Sequence, residues 1–458
     1  MTQNLKKLFI GFGLLSFALI LFVTGAKDVF WNAVALGGLM IYFWVFEVIP
    51  IYITALLPMI LAIPLGLLNK TDLANSYGDG NVYLFFGGFI LALGLEKWKV
   101  HEQVARGIIS VVGNSKPRIL LGFLLSTGFL SMWISNTATA LMMLPMALAI
   151  IEALPKTDKK SKFPVFLMLS VAYASSIGGI ATLIGSPPNT QMASILEQNY
   201  HLKVDFFKWM SIGMPISILM LIATFGVFYF SLGSERNEKH HDFVIHKTPW
   251  TKDQLVVVTI FLAVVVLWSF KELLTPLFGF NYRDENVALL GGILLFILPS
   301  SEKKPFLNWK DTEKLPWGIL ILFGGGLALA AVMEKNGVIN ELSLMLTNMN
   351  SLPFYGLLIV LVIVAVFASE VLSNLAMVSI FVPIVAKFAL DMGIPITQLC
   401  IPLTLGASLA FMLPVGTPPN AIVFSSGYLH VNQMVKYGFI LNIIGIVLIS
   451  IFSILLWS

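Results

Sequence analysis

Charge is scarce in this chain. Of its 458 residues only 11% are Asp, Glu, Lys or Arg, against about 25% in soluble globular domains. The hydrophobic share is 57% and the mean hydropathy is +0.88. That deficit excludes a soluble fold and points to an all-α polytopic membrane protein. Cysteine is nearly absent as well: Cys400 stands alone, so no internal disulfide can form, and its apolar neighbours indicate a buried thiol. No nucleophile with a base, no Walker loop and no Cys-x-x-Cys occurs, which argues against an enzyme and against any cofactor. His101-Glu102 lacks the second His of a zinc helix, and Lys239-His240-His241-Asp242 lies among charges, so both read as solvated surface.

Long apolar runs are what the chain does have. By apolar length, spans are predicted at roughly 8–25, 31–48, 51–68, 81–96, 164–194, 209–232, 254–275, 286–300, 315–334, 397–425 and 434–457, eleven in all. The first run follows Lys6 and Lys7 and could be a signal peptide, but it is as long as a span, and Thr24-Gly25-Ala26-Lys27 is a poor cleavage site. Two further stretches, 117–154 and 354–390, are too long for one crossing, and each carries Ser-Asn near its middle. Both read as re-entrant hairpins. With the N-terminus inside, the 28 Lys and Arg divide 20 to cytoplasmic segments and 8 to outer ones, which predicts N-in, C-out.

The chain is duplicated. Ser135-Asn136-Thr137 followed by Gly185-Ser186-Pro187-Pro188-Asn189 is matched by Ser373-Asn374-Leu375 followed by Gly416-Thr417-Pro418-Pro419-Asn420. The tips are offset by 238 positions and the Pro-Pro clusters by 231, and Phe86-Gly87-Gly88 matches Phe323-Gly324-Gly325. Each repeat, about 31–232 and 254–457, holds five crossings and one hairpin. An odd number of crossings turns the second repeat upside down, giving an inverted pair with a site near mid-membrane, the layout of a transporter.

Each tip reads Ser-x3-Ser-Asn: Ser131, Ser135 and Asn136, then Ser369, Ser373 and Asn374. A helix ending there frees carbonyls that suit a monovalent cation such as sodium, and the next helix begins with N–H groups that suit a carboxylate. The Pro-Pro clusters break the fifth and tenth spans, and carbonyls freed there can complete a cation shell. The bland alternative for a single Ser-Asn is helix packing through small polar residues. The Phe-Gly-Gly runs read as close-packing sites rather than ligand contacts. Glu47 and Glu370 are acids at or near membrane depth and hence functional candidates. Glu370 stands either as a hydrogen-bonded anchor or as an influence on the cation site.

These residues resemble the divalent anion:sodium symporter family, which includes the INDY-type dicarboxylate transporters. The likeness covers nearly the whole chain: Glu47-Val48-Ile49-Pro50 leading to Leu57-Pro58, both tips, Glu370, and both Pro-Pro-Asn loops. It implies a homodimer in the bacterial inner membrane working as an elevator. Residues 1–113 and 233–345 would form a scaffold, and 114–232 and 346–458 a transport domain. One sodium would lie among Ser131, Ser135, Asn136 and Gly185, the other among Ser369, Ser373, Asn374 and Gly416. Asn136, Thr137, Ser186, Asn374, Thr417 and the Pro418 backbone would hold the substrate. Leu375 departs from the family pattern, which has Thr there, and removes a hydroxyl expected near the substrate. The implied function is sodium-coupled uptake of C4 dicarboxylates such as succinate, malate or fumarate. A sodium-independent exchanger, a sulfate or tricarboxylate carrier, and an anion channel remain as alternatives.

Overall fold

A backbone in hydrocarbon must satisfy its own hydrogen bonds, and helix is the way one segment can do so. In a computed structural model, which describes residues 3–25, 27–112, 115–152, 161–237, 249–349 and 353–457, helix accounts for nearly all regular structure. Among the described residues β structure is confined to isolated bridge positions, at Ser115 and between Pro299 and Pro305. Eight described helices are long and apolar enough to cross a bilayer: Leu5–Thr24, Lys70–Lys97, Phe163–Ile180, Phe206–Ser231, Lys252–Ser269, Trp317–Lys335, Asn374–Asp391 and Val431–Trp457. The first displays Leu8, Leu15 and Phe22 to the surroundings, as a lipid-facing helix does.

Both hairpins are present. Their arms are Lys116–Ser131 with Asn136–Glu152 and Phe354–Ser369 with Asn374–Asp391, and corresponding arms start 238 positions apart. The fifth and tenth predicted spans are broken as the Pro-Pro clusters require, into Phe163–Ile180 with Pro187–Tyr200 and Ile396–Ala407 with Pro418–Phe424. The halves interlock. The leaving arm of the first hairpin packs on Pro418–Phe424 of the second repeat, and the leaving arm of the second packs on Pro187–Tyr200 of the first.

Several sequence expectations need correction. The span expected at 51–68 is two short helices, Ile51–Thr54 and Leu57–Leu61, followed by turns, because Pro50, Pro58 and Pro64 leave no room for an unbroken ladder. The span expected at 254–275 divides at Phe270 into Lys252–Ser269 and Lys271–Phe278. Two amphipathic helices, Val100–Val112 and Val338–Met349, precede the hairpins at matching positions and rest on hairpin arms. Span-counting passed over them because their apolar residues lie on one face only. His101 is buried beside the Leu95 carbonyl, 3.3 Å away, rather than solvated. Lys239-His240-His241-Asp242 lies outside the described residues. Glu47 is exposed in a turn with φ 44°.

The Phe-Gly-Gly runs serve close approach. A Cβ on Gly87 would strike the Ala288 backbone, and one on Gly325 would strike the Ala55 backbone.

Candidate substrate and sodium site

The first tip is sewn to the break in its own repeat. The entering arm ends at Ser131, which is fully buried and whose hydroxyl donates to the Ser175 carbonyl at 2.6 Å. Met132 presents its carbonyl to the Thr182 hydroxyl at 2.5 Å, and Thr182 Oγ1 in turn accepts from Gly185 N–H at 3.0 Å. The leaving arm begins at Asn136. Its amide lies against three acceptors and, with the nitrogen turned to them, donates to Ser131 Oγ at 2.8 Å, Ser175 O at 3.0 Å and Gly185 O at 3.2 Å. Ser135 Oγ accepts from Ala138 N–H at 3.3 Å, and Thr137 is half-buried next to it. Ser131, Asn136 and Gly185 thus come together, joined by the Ser175 carbonyl, which no sequence pattern singled out.

The second tip reaches its break through different chemistry. Glu370 is 4% exposed, and its carboxylate accepts from the N–H groups of Phe411 (2.8 Å), Met412 (2.9 Å) and Leu413 (3.0 Å) and from Asn442 Nδ2 (2.7 Å). Glu370 is therefore the anchor of the second break. In the duplication Glu370 corresponds to Met132 and Leu413 to Thr182. Both repeats make the same tip-to-break contact: a backbone acceptor meets a side-chain donor in the first, and a side-chain acceptor meets a backbone donor in the second. Ser369 turns its hydroxyl back to Val366 O at 2.8 Å, while Asn374 Oδ1 and Thr417 Oγ1 are buried with no hydrogen-bond partner among the described residues. Ser373 is the N-cap of the leaving arm but makes no side-chain cap, so the first N–H groups of that arm are left for other partners. Gly416 passes so near Glu370 that a Cβ there would stand 3.2 Å from Oε2.

The last residue of each Pro-Pro-Asn cluster holds the break closed. Asn189 Nδ2 donates to Gly179 O at 2.9 Å and Thr182 O at 2.8 Å, and Asn420 Nδ2 donates to Ala410 O and Leu413 O, both at 2.9 Å. In each case the acceptors lie ten and seven residues back. These are the carbonyls orphaned where a helix stops. Some freed carbonyls expected to bind a cation are thus occupied by asparagine, while that of Gly185 still faces the tip. Ser186 and Thr417 are N-caps whose side chains make no cap hydrogen bond, and both are buried. Pro418 is exposed and carries no N–H. Leu375 is 5% exposed and belongs to the apolar core.

No group of three or more His, Cys, Asp or Glu stands ready for a metal among the described residues. The polar atoms at the tips are instead neutral oxygens and amides. The sodium:sulfate symporter transmembrane region family matches residues 2–458. The chain belongs to that family. It is 37% identical over 427 residues to the sodium-dependent dicarboxylate transporter SdcS of Staphylococcus saprophyticus, covering 89% of this chain and 82% of that one. The SdcS of Staphylococcus aureus strain USA300 is likewise 37% identical, over 462 residues, covering 95% and 88%. Among solved structures, the YdaH transporter of Alcanivorax borkumensis matches with a TM-score of 0.60 at 12% identity, covering 84% of this chain and 87% of that one. MtrF of Neisseria gonorrhoeae matches with a TM-score of 0.59 at 14% identity, covering 86% and 85%. At such identities these two likenesses concern the fold alone. This member of the symporter family is an integral membrane transport protein.

Proposed function

We propose that this protein is a sodium-coupled symporter that carries C4 dicarboxylates such as succinate, malate and fumarate into the cell. The observation that carries the reading is the oxygen cluster at the first tip, where Ser131 Oγ, Ser175 O and Gly185 O all surround the Asn136 amide. The kinship to sodium-dependent dicarboxylate transporters supports it. One sodium ion belongs with Ser131, Ser135, Asn136 and Gly185. The other belongs with Ser369, Ser373, Asn374 and Gly416, where the buried and unpartnered Asn374 Oδ1 is a ready ligand. The substrate lies between the tips, held by Asn136, Thr137, Ser186, Asn374 and Thr417, with the Pro418 backbone beside them. Two sodium ions neutralise a dianion and make its entry into a low-dielectric site favourable.

The same reading assigns residues 1–113 and 233–345 to a scaffold and 114–232 and 346–458 to a moving transport domain. The working unit is a homodimer in the inner membrane with its N-terminus in the cytoplasm and its C-terminus outside. Interlocked hairpins and broken helices suit a body that moves as one piece, as an elevator does. Sulfate is the second reading for the cargo, favoured by the family's name.

Uptake of labelled succinate into proteoliposomes, with a sodium gradient imposed and then collapsed, tests the proposal. Uptake is expected to follow the gradient and to be competed by malate and fumarate more than by sulfate or citrate. Uptake indifferent to sodium would make the protein an exchanger, and full competition by sulfate alone would change the cargo.

A further inference from the structure

The amide of Asn136 sits where either of its ends can face three oxygens, and only one end suits them without a cation. Ser131 has one hydroxyl proton, and the Ser175 carbonyl at 2.6 Å is its acceptor. With Asn136 Oδ1 turned inward, four oxygens would therefore crowd together with no proton left to share. That arrangement is favourable only around a positive ion. With Nδ2 turned inward, its two protons are shared among acceptors at 2.8, 3.0 and 3.2 Å, and no ion is needed. Gly179 leaves the slot in which the amide lies, since a Cβ there would collide with it. The two orientations differ by half a turn of a planar group and occupy the same volume, so exchange between them requires no backbone movement.

We propose that the Asn136 side chain couples sodium to substrate by turning over: sodium draws its oxygen inward, and this turns its nitrogen outward as a donor to a substrate carboxylate. Without sodium the nitrogen is held inward, and the outward end is an oxygen, which repels an anion. Cation and anion then raise each other's affinity by the same factor, as linkage demands. The inference rests on the reading of Asn136 as a residue shared by ion and substrate. Asn374 works differently. Its oxygen is already buried and unpartnered, and Ser369 is turned away to Val366, so no nitrogen-inward lock holds it.

The test uses the full-length protein in nanodiscs, labelled with 15N at asparagine, with the Asn136 side-chain resonance identified by its loss in Asn136→Asp. Replacing KCl by NaCl at constant ionic strength is expected to shift that resonance and to speed hydrogen exchange of its protons, because both amide protons leave their inward acceptors. In Asn136→Asp, which keeps an oxygen for the ion but has no donor for the anion, sodium is expected still to raise the melting temperature, while succinate affinity in sodium falls about tenfold or more. A resonance that does not move although sodium raises the melting temperature would overturn the coupling proposal and leave the sodium site standing. So would wild-type succinate affinity in Asn136→Asp. A wild-type melting temperature that ignores sodium would overturn the site reading beneath it.

Discussion

Asn442, in the last helix of the chain, donates its Nδ2 to Glu370 Oε1 at 2.7 Å across 72 positions. The other contacts of this carboxylate are three successive backbone N–H groups of the second break, so Glu370 fastens a hairpin tip, a broken helix and the final helix to one another. Asn374 starts the leaving arm four residues later, which makes Glu370 a positioning residue for the second tip.

Glu370→Ala would leave those N–H groups and Asn442 buried without an acceptor. A loss on the order of 3 kcal/mol is expected, since each orphaned buried group costs roughly 1–3 kcal/mol and neighbours do not add fully. Glu370→Gln, keeping one oxygen, should lose less. Thermal unfolding of the purified variants checks the order wild type, Gln, Ala.

Asn189 and Asn420 carry out one task in two places. Asn189→Ala and Asn420→Ala each remove two hydrogen bonds to backbone carbonyls and should each cost roughly 1–3 kcal/mol, with losses of similar size. The matching ten- and seven-residue reach of both amides is the reason for that equality. Melting temperatures of the two variants side by side provide the check, and unequal losses would show that the breaks are held by different means.

Glu235 follows the helix Phe206–Ser231 and ties it to two other segment starts. Its carboxylate accepts from Ser161 Oγ at 2.5 Å and Lys162 N–H at 2.9 Å and pairs with the buried Lys116 Nζ at 3.3 Å. Burial pushes the carboxyl up, but the bonds from Lys162 N–H, Ser161 and Lys116 together outweigh that and leave it below its ordinary value of 4.5. A carboxylate depressed in the folded state adds stability that is fully present above the unfolded value and is lost as pH falls through the folded one. Stability measured downward from pH 4.5 is therefore expected to fall less steeply in Glu235→Gln than in the wild type, with the variant weaker at neutral pH.

The duplication made much of this legible in the sequence. Hairpins announce themselves as apolar stretches too long for one span with Ser-Asn inside, and Pro-Pro after Gly dictates a break. What periodicity cannot carry is partner choice. Asn189 and Asn420 stood in plain view inside the repeated cluster, yet a sequence does not say that their amides turn back to the preceding half-helix rather than toward a ligand. Glu370 was visible as an acid at membrane depth, while its donors, the N–H groups of residues 411–413, are distant in sequence. The Leu375 departure was read as a change facing the substrate, whereas the side chain packs in the core. An (i, i+1) step at a helix start turns the side chain about 100° away from its neighbour. Val100–Val112 and Val338–Met349 escaped because a span search asks for apolar residues all round.

The site stands or falls on the two tip asparagines. Sodium-driven succinate uptake by Asn136→Ala and Asn374→Ala, in proteoliposomes with equal amounts of inserted protein, is the direct measure. Each variant is expected to lose uptake altogether, because each removes a side chain assigned to both ion and anion. Near-normal uptake in both would contradict the account and place the cargo elsewhere in the molecule.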